Sequence, residues 1–518
     1  MPVNGAETLV ETMLASGVNV CFANPGTSEM HFVAALDNHP DMRCILCLFE
    51  GGASGAADGY FRMSGEVPAT LLHLAPGFGN AFANFHNARK AQSGIVNIVG
   101  DHATYHMKYE TPLRGDTLGI SQTISHWTRV SDAATQVATD GAAAIRAARS
   151  RNGQIATLIL PADTAWNEAV APQVAAAPAA LHRPSPAGIA AAAKILRQPH
   201  AVLMIDGKAL WGELSLVAAR IAKATGCLLM CPYLAARLAR GEGAAQVARM
   251  AYRIADNIPL LADTQHIVLC GAARPASFFA YPGKPSVPEQ PDCHIMDLCG
   301  IDMDYAWTLH ALAEELGVHE LPLEADELQK LDLPEIPSGS MGLEKIGQAF
   351  AALLPAQTII VDEGISSSRF FADPTVAARA HDWLNVTGGA IGCGLPIAVG
   401  AAIACPNRKV VAIQADGSAM YTLQSLWTMA RENLDVTVVL LSNRGYQILR
   451  MELAAMGVTE VGRNSQRMFD VGEPTLDWVA LAKGHGVAAE RITDTDQFVK
   501  AFGQAMQRKG PFLIEVMC

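Results

Sequence analysis

The sequence predicts an α/β protein built from three doubly wound parallel-sheet domains. Short apolar runs, each ended by turn or polar residues, alternate with helix-like stretches, which is the rhythm of parallel βαβ units. Two proline-bearing breaks divide that rhythm into three blocks. The 518 residues are too many for one hydrophobic core.

The first block, residues 1–165, carries the runs NVCFANPG, RCILCLFEGG, ATLLHLAPG and GIVNIVGD. In a parallel sheet their polar ends collect at one edge, so functional loops are expected there. The Ala/Pro-rich segment APQVAAAPAALHRPSPAG reads as a linker. A second block, residues 185–330, contains HAVLMIDGK, CLLMCPY, HIVLCGAAR and CHIMDLCG, and LPEIPSGS closes it. The third block, residues 340–518, repeats the pattern in TIIVDEG, KVVAIQADG, VTVVLLSNRG and PFLIEV.

Composition narrows the function classes. A formal net charge of −12 without a basic cluster argues against nucleic acid as a partner, because phosphate backbones are held by concentrated Lys and Arg. No apolar run is long enough for a membrane span, and the start lacks a basic stretch before an apolar one, so the expected location is cytoplasmic. The eleven cysteines are scattered, and Cys44-x-x-Cys47 lies in an apolar run; buried reduced thiols are expected.

The most informative segment is RKVVAIQADGSAMYTLQSLWTMARENLDVTVVLLSNRGYQ. One apolar strand delivers Asp416 to its carboxyl end, a helix beginning near Ser418 crosses over, and a second strand delivers Asn443 to the same edge. A carboxylate, an amide oxygen and the Gly445 carbonyl are the hard oxygen donors that Mg²⁺ takes alongside phosphate. A helix beginning after Gly417 aims free amides at a diphosphate. In the first block, Glu50 stands after an apolar strand and before a small-residue helix, where an acid is expected to be partly buried and suited to sharing a proton.

The Asp416–Asn443 segment resembles the thiamine-diphosphate motif, with Ala415 in place of its first glycine and Ser442 in place of its first asparagine; neither change removes a ligand. NPGTSEMHF, FEGGASGAADGYFR, LLHLAPGFGNAFANFHNAR and GGAIGCGLPIAVGAA resemble the acetolactate synthase and benzoylformate decarboxylase branch of the thiamine-diphosphate enzymes. The resemblance covers both terminal blocks, and the middle block only in length and rhythm. It implies thiamine diphosphate and Mg²⁺ as cofactors and Glu50 as the residue that activates the cofactor ring. It also implies Gly389 and Ile391 as contacts of the aminopyrimidine, with Ile391 the wedge that keeps the cofactor bent. Ser418, Tyr446, Ile365 and Ser366 become candidate diphosphate contacts. Thr27 and His73 match substrate-handling positions, and His102 and His106 follow a strand end where a site is expected.

Small 2-oxo acids are the substrates the resemblance implies. The expected assembly is a homodimer or homotetramer with active sites between subunits, because the Glu50 and Asp416 halves lie on domains that the family pairs across a dimer interface. FAD in the central block is not expected, though the sequence leaves it open. A nicotinamide or flavin oxidoreductase is disfavoured, since Gly77-Phe78-Gly79-Asn80-Ala81-Phe82 lacks the third glycine of the dinucleotide fingerprint. A scaffold without catalysis is disfavoured by the intact Glu50, Asp416 and Asn443. LAPGFGNAFANF and GGAIGCG suggest a dry pocket that favours a carbon acceptor over a proton. Acetolactate from two pyruvates is therefore the first expectation, and decarboxylation to an aldehyde the second.

Overall fold

The computed structural model describes residues 3–458 and 460–518. Three sheets organise the chain, as the rhythm of apolar runs predicts. The first has six parallel strands in the order Arg43–Leu46, Val20–Ala23, Ala69–His73, Ile95–Asp101, Ile155–Pro161 and Trp127–Val130. The central sheet has five, in the order Ala248–Arg249, Leu228–Cys231, Ala201–Ile205, His266–Cys270 and His294–Cys299. The third has seven, from Ala488–Ile492 through Phe512–Met517, Val436–Ser442, Val410–Ala415, Thr358–Glu363 and His381–Asn385 to Leu238–Arg240.

That last strand comes from the central segment and runs antiparallel to His381–Asn385. The sequence signal for it is too short to read. The end of the expected linker also behaves differently: Ser185 caps a helix over Pro186–Leu196, its side chain accepting the Gly188 amide at 3.1 Å. A serine followed by proline starts helices because it supplies an acceptor and a preset φ.

Two small-residue helices join the first and third domains. Glu50–Ser64 packs on Gly394–Ala404 so closely that a Cβ on Gly400 would stand 1.9 Å from the Ala56 carbonyl oxygen. Arg62, fully buried, donates to Asp58 at 2.8 Å and reaches across to the Asn385 carbonyl at 2.7 Å. A buried guanidinium needs such compensation, and here that need ties the domains together.

At the switch point of the central sheet, between Ala201–Ile205 and His266–Cys270, an open α/β sheet offers a ligand crevice. Here Tyr305 fills it. Its ring lies 3.1 Å from where a Cβ would stand on Gly207 and on Gly271, and its hydroxyl donates to Gln92 of the first domain at 2.8 Å.

All eleven cysteines are unbridged. Cys47 is buried as expected, but Cys44 is exposed, because Arg43–Leu46 is an edge strand with a neighbour on one side only. Among the described residues, no helix is long and apolar enough to cross a membrane.

Candidate active site

The carboxyl ends of the first sheet form a cavity of about 370 Å³ lined by Thr27, Ser28, His73, Asp101, His102 and His106, with Tyr105 and Trp166 at its edge. Thr27, His73, His102 and His106 are thus brought together from three separate loops. His73 ends its strand, and Leu74 follows it at φ +51, a left-handed conformation that leucine adopts only under local constraint. His73 Nδ1 lies 2.9 Å from Glu29 Oε2 and 3.2 Å from Ser28 Oγ. Glu29 is 4 % exposed and also accepts the Gly26 amide at 2.7 Å. With Nδ1 engaged by this carboxylate, Nε2 is the ring nitrogen left for exchange with a bound molecule. His102 Nε2 meets Thr111 Oγ1 at 3.2 Å, and the rings of His102 and His106 lie 5.8 Å apart.

Glu50 opens its helix and is half-buried. Asn80 donates to its Oε2 at 3.0 Å. Its Oε1 and the Cβ of His73 flank the same point above Gly77, so Glu50 stands beside the backbone end of His73, outside the lining of the histidine cavity.

In the third domain the sequence-predicted residues gather at the carboxyl ends of Thr358–Glu363, Val410–Ala415 and Val436–Ser442. Asp416 is 2 % exposed, and its carboxylate accepts the amides of Gly417 at 2.8 Å and Arg444 at 2.6 Å. Burial pushes its pKa up, and no cationic side chain pairs with it among the described residues. Asn443 Oδ1 accepts the Gly445 amide at 3.1 Å, and the intervening Arg444 sits at φ +56. The Tyr446 ring lies against Gly417, where a Cβ would come within 2.6 Å of it. Ser418 is buried and donates to the Ala415 carbonyl at 3.1 Å. The helix expected from Ser418 is instead two pieces, Asp416–Ala419 and Ser425–Arg431. Ile365 and Ser366 form a short turn whose Ile365 is held at φ +49.

The turn 388–394 is braced from two directions. Glu363, 1 % exposed, accepts the amides of Gly392 at 2.6 Å, Cys393 at 3.1 Å and Gly394 at 2.8 Å. From the first domain, Asn87 accepts the Gly388 and Ala390 amides at 3.1 and 3.2 Å, and His86 Nε2 meets the Gly388 carbonyl at 3.1 Å. Gly389 and half-buried Ile391 are held at the top of that turn.

The family described as "Thiamine pyrophosphate enzyme, N-terminal TPP binding domain" matches residues 3–126, the sheet edge that bears Glu50 and His73. "Thiamine pyrophosphate enzyme, C-terminal TPP binding domain" matches residues 366–516, the part that bears Asp416 and Asn443. A Mycobacterium tuberculosis protein named "Putative acetolactate synthase large subunit IlvX" is 45 % identical over 99 % of each chain. This chain belongs to the thiamine pyrophosphate enzymes. The benzoylformate decarboxylase of Pseudomonas aeruginosa is 28 % identical over 98 % of this chain and 97 % of its own. Among solved structures, the thiamine diphosphate-dependent 4-hydroxybenzoylformate decarboxylase of Rhodococcus jostii RHA1 superposes with a TM-score of 0.84 at 23 % identity, covering 99 % of both chains, which shows a shared fold.

In this thiamine enzyme the donor set suits the cofactor. Among the described residues no three His, Cys, Asp or Glu side chains gather as a metal cage. A cation that keeps phosphate oxygens as ligands needs only Asp416, Asn443 and a backbone carbonyl. Sequence reading passed over Glu29, Glu363, Asn87 and His86. The signal for Glu29 was present in NPGTSE, where an acid three residues after Gly26 can fold back on the turn; that it also reaches His73 depends on two distant strand ends meeting. Of the apolar side chains of LAPGFGNAFANF that suggested a dry pocket, Leu74 lines the cavity, whereas Phe78 and Phe85 are fully buried in the core. The cavity itself sets the imidazoles of His73, His102 and His106 among apolar side chains, Leu74, Leu113 and Trp166.

Proposed function

We infer that this enzyme decarboxylates a 2-oxo acid using thiamine diphosphate and Mg²⁺. The single observation that carries the reading is the convergence of His73, His102, His106 and Thr27 on one cavity, with Glu50 beside His73. Asp416, Asn443 and the Gly445 carbonyl would hold the metal, and the amides that open the Asp416–Ala419 turn would face the diphosphate. The bound cofactor supplies an electron sink for the bond beside the 2-oxo carbonyl. Glu50 would hold a proton at the cofactor ring, Ile391 would wedge that ring, and His73 Nε2 would give or take a proton at the substrate.

Loss of CO₂ leaves a fragment with two fates. Joining to a second 2-oxo acid, which makes acetolactate from pyruvate, is supported by the relationship to the M. tuberculosis protein and its name. Protonation to an aldehyde is favoured by the three histidines of the cavity. Incubation with thiamine diphosphate, Mg²⁺ and either pyruvate or benzoylformate, with acetolactate and aldehyde quantified, decides between them. Acetolactate in excess supports the first fate and aldehyde in excess the second; no turnover of any 2-oxo acid sinks the reading.

We further infer that the active unit is a homodimer or homotetramer. Helices Gln447–Ala455 and Arg463–Phe469, which follow the Asn443–Gly445 loop, bury no residue; they expose Leu449 and Met468, and Met456 just past the first is exposed as well. Apolar surface of that kind beside a functional loop favours a subunit interface. No flavin is assigned to the central domain, since Tyr305 stands in its crevice; a yellow purified protein would overturn that.

A further inference from the structure

The loop after strand His266–Cys270 belongs to the central domain, yet it reaches the third. Phe278 Cζ lies 2.9 Å from the point where a Cβ would stand on Gly389, and Gly389 has φ +73. That position is closed to side chains by both the ring and the backbone. Phe278 is apolar but 43 % exposed, and its neighbour Phe279 is 55 % exposed. The ring is not loose: its centroid is 5.2 Å from that of Tyr252 and 4.9 Å from that of Phe279. Tyr252 and Tyr281 both donate their hydroxyls to Glu452, at 3.0 and 2.8 Å. Glu452 lies on the helix that begins directly after Tyr446, so the aromatic strip is anchored to the segment that carries Asn443 and Gly445.

We propose that Phe278 is a specificity-determining residue, an apolar wall of the cofactor cleft that contacts the side chain of the 2-oxo acid and shields the reacting carbon from water. The inference rests on the reading that the turn at Gly389 and Ile391 receives the cofactor ring. A phenyl ring offers no proton to the reacting carbon, so the wall biases the outcome. In ligation, the fragment left by CO₂ loss would form a carbon–carbon bond to the carbonyl carbon of a second 2-oxo acid, whose oxygen takes up a proton. The fragment's own hydroxyl would give up a proton as its carbonyl re-forms and its bond to the cofactor breaks. In the competing path the proton goes to the carbon and an aldehyde leaves.

The test uses the full-length enzyme and its Phe278→Ala, Phe278→Leu and Phe278→His variants. It measures cofactor Kd, KM for pyruvate and benzoylformate, and the ratio of aldehyde to acetolactate. Removing the ring should raise KM for the preferred substrate about tenfold, the size expected for lost apolar contact. It should shift product toward aldehyde while leaving cofactor Kd within about twofold, since cofactor binding energy comes from the metal and diphosphate end. Phe278→Leu should recover part of the KM, and Phe278→His should give the most aldehyde. A Phe278→Ala enzyme that binds cofactor and keeps both KM and product ratio overturns the proposal. A wild type that makes only aldehyde defeats the ligation reading instead, and Phe278 is then judged on KM alone.

Discussion

Glu29 Oε2 lies 2.9 Å from His73 Nδ1, and the carboxylate is buried while the imidazole opens to the cavity. The pair fixes which nitrogen of the ring faces a bound molecule. His73→Ala is therefore expected to lower kcat by about 10²- to 10⁴-fold, the usual worth of a positioned acid or base. Glu29→Gln should give a smaller loss in the same direction, with cofactor Kd unchanged. Steady-state kinetics beside a cofactor titration measures both; a Glu29→Gln enzyme with full kcat would remove the pair from the mechanism.

Glu363 gives a pH signature. Burial pushes its pKa from 4.5 to about 7 against the pull of three backbone amides. Between those values the folded chain holds a proton that the unfolded chain has lost, so the group's contribution is full below pH 4.5 and declines as pH rises through 7. At ~1.4 kcal/mol per unit the decline is on the order of 3 kcal/mol. Denaturant curves of wild type and Glu363→Gln at pH 5 and pH 8 should show the difference in unfolding free energy moving against the wild type as pH rises. Parallel behaviour at the two pH values would refute it.

Asp416 and Glu50 should separate by the step they affect. Asp416→Ala removes the proposed metal ligand and is expected to weaken cofactor and Mg²⁺ binding by at least about tenfold. Glu50→Gln keeps the shape and should spare affinity while lowering kcat by about 10²-fold or more. Calorimetric titration and turnover of the same preparations would show it; equal losses of affinity would mean the roles are misassigned.

If the site is shared between subunits, inactive Glu50→Gln and Asp416→Ala chains should recover activity when mixed and allowed to exchange, because one of the two sites in a mixed dimer is intact. Up to about a quarter of wild-type activity is expected for random pairing of site halves. No recovery, with exchange shown by tagged subunits, would place the whole site in one chain.

Much of this protein could be read from its sequence. The apolar runs predict the central strands of each sheet, because a strand buried on both faces is mostly apolar, as Val410–Ala415 and Val436–Ser442 are. Asp416, Asn443 and Glu50 are legible because the strand ends that hold them are local features. Short edge pieces such as Leu238–Arg240 are not, since their pairing is decided by a distant partner. The same holds for Glu29 meeting His73, Asn87 and Glu363 gripping the 388–394 turn, and Phe278 lying over Gly389. Glu29 meets His73, and Glu363 grips the turn, because the sheet order within one domain sets their strand ends side by side. Asn87 and Phe278 reach the turn only because the domains pack together, locked through Arg62 and the glycine-lined helices. Sequence patterns also could not tell which apolar residues line a pocket and which fill a core: Phe78 and Phe85 are core because the helix that carries them turns that face to the sheet.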